Sequence, residues 1–141
     1  MKLYFAGPLF SAAERDWNAA VVAALRDGGH EVFLPQEQER GKDAAGIFAT
    51  DVAGIDWADA LVAIMDGPDP DSGTCWECGY AYGRKPILLV RTDSRALTGY
   101  SGAYNPMLTE SASRRLDLVG ANLEEVGRTV LEALGDLVTI D

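Results

Sequence analysis

Met65-Asp66-Gly67-Pro68-Asp69-Pro70-Asp71-Ser72-Gly73-Thr74-Cys75-Trp76-Glu77-Cys78-Gly79-Tyr80-Ala81 follows an apolar run, Ala60 to Met65. The change of character between the two decides the fold. The run is short and uninterrupted, as expected of a strand covered on both faces. Aspartates among prolines and glycines then make a loop. From Ser72 or Thr74 the pattern becomes helical, to about Gly83. The loop therefore lies at the carboxyl end of a strand, where open α/β sheets bind ligands.

The same unit recurs on either side. Lys2 to Ala6 reads as strand one, and Gly7-Pro8 ends it. Ser11 can cap a helix to about Arg26, with Trp17, Val21, Ala24 and Leu25 at helical spacing. Asp27-Gly28-Gly29 stops it, and His30 to Leu34 is strand two. Gln36 to Asp43 reads as a polar loop, and Ala44 to Trp57 as a helix with Ile47, Phe48, Val52 and Ile55 on one side. After the central helix, Arg84-Lys85-Pro86 turns the chain into strand four, Ile87 to Val90. Arg91 to Tyr104 is a long loop, Asn105-Pro106-Met107-Leu108 opens a short helix, and Leu116 to Val119 is a weak fifth strand. Asn122 caps a last helix, Leu123 to Leu134, followed by an apolar tail, Gly135 to Asp141. Alternating apolar strands and helices predict a single α/β domain over residues 1–141. The expected form is a flavodoxin-like or Rossmann-like three-layer sandwich on a five-stranded parallel sheet.

Composition narrows the function. The chain has 141 residues and a net charge of −10, which argues against nucleic acid polymers and anionic membranes as partners. No apolar run reaches the length of a membrane span, and the N-terminus turns at Gly7-Pro8 too early for a signal peptide, so a cytoplasmic location is expected. Neither G-x-G-x-x-G nor G-x-x-x-x-G-K-[ST] occurs, which disfavours dinucleotide and NTP sites. Cys75 and Cys78 form C-x-x-C. A zinc site needs about four ligands, and the one histidine, His30, is distant in sequence and sits at a strand boundary. The cysteines therefore read as small, partly buried thiols, and no metal is expected.

The chemistry lies in Asp71 and Glu77. Six residues turn a helix by about 600°, so the two converge only if Asp71 is still in the loop and Gly73 allows the bend. The helix N-terminus would then favour an ionised Glu77. Two nearby carboxyl groups suit retaining glycosyl transfer: one attacks the anomeric carbon and the other assists departure. An alternative reading makes Thr74-Cys75-Trp76-Glu77 a capping box, with Glu77 only closing the helix end. Gly79 inside the helix costs about 1 kcal/mol relative to alanine and suggests close packing or a ligand on that face.

Together the motifs resemble the nucleoside 2-deoxyribosyltransferase family. They are Tyr4-Phe5-Ala6-Gly7-Pro8-Leu9-Phe10, Phe33-Leu34-Pro35-Gln36, Asp51-x-x-x-Ile55-x-x-x-Asp59, and Asp66-Gly67. Asp71-Ser72-Gly73-Thr74-x-x-Glu77-x-Gly79-x-Ala81, Lys85-Pro86 and Asn105-Pro106-Met107-Leu108 complete the set. The resemblance implies a glutamate that attacks C1′ of a 2′-deoxynucleoside, a covalent deoxyribosyl-enzyme, and attack by a second free nucleobase with retention. No metal or organic cofactor takes part. It implies that Glu77 is the nucleophile and that Asp71 serves protonation of the base. Tyr4 orients the nucleophile, and Asp51 holds a sugar hydroxyl. Gln36 (or Gln38, the register being open) contacts the base, Phe10 covers it, and Gly7 and Asp66 belong to the substrate side. Asn105 would be donated to the neighbouring active site of a homo-oligomer. The tail shows no match to the groups the family uses near its chain end.

Three rivals compete with this reading. A hydrolase of the same superfamily would cleave nucleoside 5′-monophosphates and need a phosphate site, but Pro8-Leu9-Phe10-Ser11 offers little polarity. A receiver module would use Asp66 with an acidic pair after strand one, and Tyr4-Phe5-Ala6-Gly7 has none. A non-catalytic nucleoside-binding module leaves the glutamate without a purpose.

Overall fold

The computed structural model describes residues 1–97 and 104–138. Part of the expected loop, 98–103, and the last three residues of the tail, 139–141, lie outside them. Strands β1 (Lys2–Ala6), β2 (Glu31–Phe33), β3 (Ala60–Ile64), β4 (Ile87–Arg91) and β5 (Arg114–Asp117) form one parallel sheet in the order β2-β1-β3-β4-β5. This is the flavodoxin-like order, which settles the choice the sequence left open. The helices are α1 (Ala12–Asp27), α2 (Ala44–Trp57), α3 (Ser72–Ala81), α4 (Pro106–Thr109) and α5 (Leu123–Val138).

Alternation along the strands sorts the core into two halves. Leu3, Phe5, Val62, Ile64, Leu88 and Val90 pack beneath α1 and α5 with Val21, Leu25, Val126 and Val130. Tyr4, Ala6, Leu61, Ala63, Ile87 and Leu89 face the other way, toward Ile55 of α2 and Cys78 and Ala81 of α3. Both faces of β3 and β4 are therefore buried, which explains their unbroken apolar runs. Topology reverses between β1 and β3. From β1 the chain moves outward to β2 and then returns to β3 on the other side of β1, opening a crevice at their carboxyl ends.

Caps set the helix limits. Ser11 and Glu14 form a reciprocal capping box on α1. Asp43 accepts from Gly46 N to start α2, and Asn122 accepts from Glu125 N to start α5. Lys85 donates to the carbonyls of Ile55 and Ala58. The Lys85-Pro86 pair thus closes α2 with a cation where the helix dipole is negative.

Several boundaries differ from expectation. β2 is shorter than His30–Leu34 because Pro35 starts a 3-10 turn, Pro35–Glu37, inside the expected loop. The fifth strand lies at Arg114–Asp117, earlier than Leu116–Val119. It is a sheet edge, so only Leu116 needs cover, and exposed Arg114 and Arg115 blunt the edge against further pairing. α5 absorbs the first part of the expected tail, because Leu134 and Leu137 continue its inward stripe onto the core.

Leu61 is fully buried in the central strand. Leu61→Ala should lower the unfolding free energy by about 2–5 kcal/mol, read as a lower urea midpoint at unchanged slope.

Candidate active site

Asp71 is the N-cap of α3. Its Oδ2 accepts from Thr74 N at 2.9 Å and from Thr74 Oγ1 at 3.1 Å. A Cβ at Gly73 would stand 3.2 Å from that oxygen, so the glycine makes room for the cap. Gly73 already lies inside α3 and makes no bend. The unusual backbone is at Gly67, with φ of 119°, a conformation that favours glycine.

The capping box of the alternative reading, Thr74 with Glu77, does not form, because α3 begins at Ser72, two residues before Thr74, and Asp71 is its cap. Glu77 is instead in the second turn, aimed at the sheet, where its Oε1 accepts from Tyr4 Oη at 2.6 Å. Tyr4 is fully buried on the α3 face of β1. A cavity of about 450 Å³ lies between α2 and α3, lined by Ile47, Phe48, Asp51, Val52, Trp76 and Glu77 among others. Ile47, Phe48 and Val52 thus form an apolar wall of this cavity, with Phe48 57% exposed. Of the four apolar residues on one side of this helix, these three line a pocket, and Ile55 alone enters the core. Phe48 meets Trp76 edge-on, their ring centres 5.4 Å apart.

Electrostatics at this cavity run against the sequence expectation. Burial raises the Glu77 pKa to about 7; the Tyr4 hydrogen bond pulls it down, while Asp51 and Asp71 push it up. The α3 dipole is too distant to keep the second-turn carboxylate ionised, since its effect fades within one turn. Asp51 is raised to about 6 by burial, then by Glu39, with Lys42 opposing. Tyr4 stays protonated, raised by burial and by Glu77. Tyr4, Asp51 and Asp71 all act on Glu77, so the fold brings these expected residues around it.

It holds others elsewhere. Asp66 clamps the strand ends: it accepts from Thr92 N, Thr92 Oγ1 and Asp93 N at 2.5–3.0 Å. Asp93 in turn accepts from Gly67 N. Arg91, 2% exposed, donates to the carbonyls of Met65 and Gly67. Reading Arg91 as the first loop residue missed this. The signal was a cation directly after an apolar run, where it can stay near its strand.

Gln36 donates to Arg15 O at 2.8 Å and accepts from Asn18 at 3.2 Å, so both ends of its amide serve the fold. Gln38 is exposed just after the 3-10 turn. Phe10 is 74% exposed. Gly7 packs tightly on Ile64, 3.2 Å from a hypothetical Cβ. Asn105 caps α4 through Met107 N and lines a different cavity, of about 890 Å³, with Ser72, Cys75, Gly79 and Tyr82. α3 separates this groove from Glu77. A Cβ at Gly79 would meet nothing within 4 Å, so no close packing explains that glycine. Cys75 and Cys78 are free thiols, and burial pushes Cys78 up to about 12. No helix of the described residues is long and apolar enough to cross a membrane.

Known proteins share this parallel α/β class of fold. The model of the nucleoside 2-deoxyribosyltransferase family matches residues 3–130, and this chain belongs to that family. Among solved structures it is similar to a 2-deoxyribosyltransferase of Bacillus psychrosaccharolyticus, at 27% identity and TM-score 0.73, covering 93% of this chain and 96% of that one. The fold is shared with a Leishmania mexicana 2-deoxyribosyltransferase at 22% identity and TM-score 0.69, covering 93% and 97%. It is also shared with a Clostridium botulinum CMP N-glycosidase at 16% identity and TM-score 0.67, covering 92% and 97%. Among curated proteins none is significantly similar in sequence.

The raised pKa of Glu77 has a consequence for stability. The folded state binds its proton more tightly than the unfolded chain, so stability falls as pH rises from the ordinary carboxylate range through about 7. Glu77→Gln, neutral at every pH, should match wild type near pH 5. At pH 8 it should be more stable, on the order of 2 kcal/mol, by chemical denaturation at the two pH values.

Proposed function

We propose that this chain is a nucleoside 2-deoxyribosyltransferase that exchanges the base of a 2′-deoxynucleoside through a deoxyribosyl-Glu77 intermediate. The observation that carries the reading is the Tyr4–Glu77 hydrogen bond at 2.6 Å on the wall of a cavity that also holds Asp51. Glu77 attacks C1′ as the carboxylate, and the C1′–N bond breaks with its electron pair leaving on the base. A second base then attacks C1′, the ester bond to Glu77 breaks, and the carboxylate returns. Two displacements give retention.

The other groups divide the remaining work. Asp51 lines the cavity beside Glu77, and its protonated fraction, which grows as pH falls toward about 6, suits protonation of the departing base. Asp71 has Oδ2 committed to Thr74, which leaves Oδ1 to accept from a sugar hydroxyl or a base N–H. The roles implied by the resemblance are thereby exchanged between the two aspartates. Tyr4 keeps its proton and steers the unshared Glu77 oxygen toward the sugar. Phe48 and Trp76 supply flat apolar surface suited to a nucleobase. No charged group is needed to recognise such a neutral substrate, in keeping with the chain's acidity. Asn105, across α3 from its own Glu77, serves a neighbouring subunit of a homo-oligomer.

Incubation with 2′-deoxyinosine, with and without free adenine, tests the reaction. Deoxyadenosine should appear by chromatography only when adenine is present. Hypoxanthine released equally in both would make the protein a hydrolase. Glu77→Ala should lower exchange by about 10³-fold or more while circular dichroism stays unchanged. The exchange rate of wild type should pass through a maximum between about pH 6 and 7 and fall on either side, because attack needs Glu77 ionised and base departure needs Asp51 protonated. Mixing and reassembling Glu77→Ala with Asn105→Ala subunits should restore activity that each lacks alone; no recovery would count against the shared site.

A further inference from the structure

A second ring stacks on Tyr4. Phe33, on the neighbouring strand β2, lies nearly parallel to it, with ring centres 5.4 Å apart and planes 15° from parallel. On the far side Phe33 presses on α2 at Gly54. A Cβ there would stand 2.8 Å from Phe33 Cδ1, Cε1 and Cζ alike, a distance real Cβ atoms do not tolerate. Gly54 is itself buried in a helix, where glycine costs about 1 kcal/mol relative to alanine. The cost is offset by the seat it leaves for the ring. Beside the seat is an open groove lined by Ala49, Thr50, Ala53 and Trp57, so a displaced ring has somewhere to go.

We infer that Phe33 and Gly54 are positioning residues for Glu77: the Phe33 ring, seated in space that only glycine leaves at 54, holds the Tyr4 ring so that its hydroxyl meets Glu77 Oε1. This rests on the reading of Glu77 as the attacking group. The chain of contacts runs Gly54, Phe33, Tyr4, Glu77, and none of the first two touches the reacting atoms. Loss of the stack frees the Tyr4 ring to tilt, and the hydrogen bond that favours the Glu77 anion weakens. The other groups that act on Glu77 are Asp51 of α2, which itself feels Glu39 and Lys42, and Asp71 at the start of α3; Cys78, one residue on in α3, is influenced by Glu77 in turn. None of them changes in the variants below.

The test is a carbon-13 NMR titration of the Glu77 carboxyl, alongside kcat and KM for base exchange. It compares wild type, Gly54→Ala, Phe33→Leu, Tyr4→Phe and the Tyr4→Phe/Gly54→Ala double variant. Tyr4→Phe should raise the Glu77 titration by about one pH unit. Gly54→Ala and Phe33→Leu should each raise it by part of that shift and lower kcat several-fold, with KM less affected. In the Tyr4→Phe background, Gly54→Ala should add no shift. A purely structural role would lower the melting temperature and leave the titration in place, and that result overturns the inference. So does an equal shift in both backgrounds, or no shift from Tyr4→Phe. If Gly54→Ala does not fold, Phe33→Leu, which removes atoms, decides alone. A closed titration cycle in a wild type that exchanges no bases would sink the transferase reading and leave the positioning chain standing.

Discussion

A carboxylate taken out of water needs a donor, and among the described residues Glu77 has one, the Tyr4 hydroxyl at 2.6 Å. Much of the surrounding structure serves that contact. Tyr4 must come from an inner strand, since only there is a side chain fully buried yet close to the carboxyl edge. Glu77 must come from a helix that starts early enough to carry it past the first turn and onto the sheet. Asp71 ensures this by capping α3 through Thr74. Register and helix start therefore act together on one hydrogen bond, and a slip in either would turn a side chain away.

The charge around this contact is one-sided. Asp51 and Asp71 both act on Glu77, and Glu39 acts on Asp51, with Lys42 the opposing cation there. The result is two carboxyl groups that titrate near neutral pH, at about 6 and about 7. In such a pair the single proton sits mainly on Glu77, and the form with Glu77 ionised and Asp51 protonated is a minor one, most populated between the two values. The buried cation, Arg91, is spent on the carbonyls of Met65 and Gly67. It shapes the loop that leads to Asp71 through backbone contacts.

Much of this was legible in residue order. The unbroken run Ala60 to Met65, the loop of aspartates and glycines, and the helix after it gave the α/β class and pointed to the candidate site. Asp71 and Glu77 stood in the most specific motif, Asp51 and Tyr4 in weaker ones that counted only together, and the fold brings Tyr4, Asp51 and Asp71 around Glu77. Asp66 stood in another of the weaker motifs, and its carboxylate joins the ends of β3 and β4 through Thr92 and Asp93. Gln36 is likewise tied to Arg15 and Asn18. A motif states that a residue type belongs at a position; it does not say whether the partner is a ligand or another part of the chain. Ile47, Phe48 and Val52 show the same limit, because one apolar stripe serves equally for a core and for a cavity wall.

What the sequence determined by itself was local. Periodicity distinguishes strand from helix, and caps and glycines place most of the boundaries, because those preferences act within a few residues. Tertiary structure decided the strand order β2-β1-β3-β4-β5, the start of β5, and the protonation of Glu77. Strand order depends on which apolar faces meet across the sheet. The pKa depends on how much water the whole assembly removes from one carboxyl group and which charges it places beside it. Both are sums over residues far apart in the chain. The helix dipole visible in the local sequence pointed to an ionised Glu77, and burial, a property of the assembled fold, outweighed it.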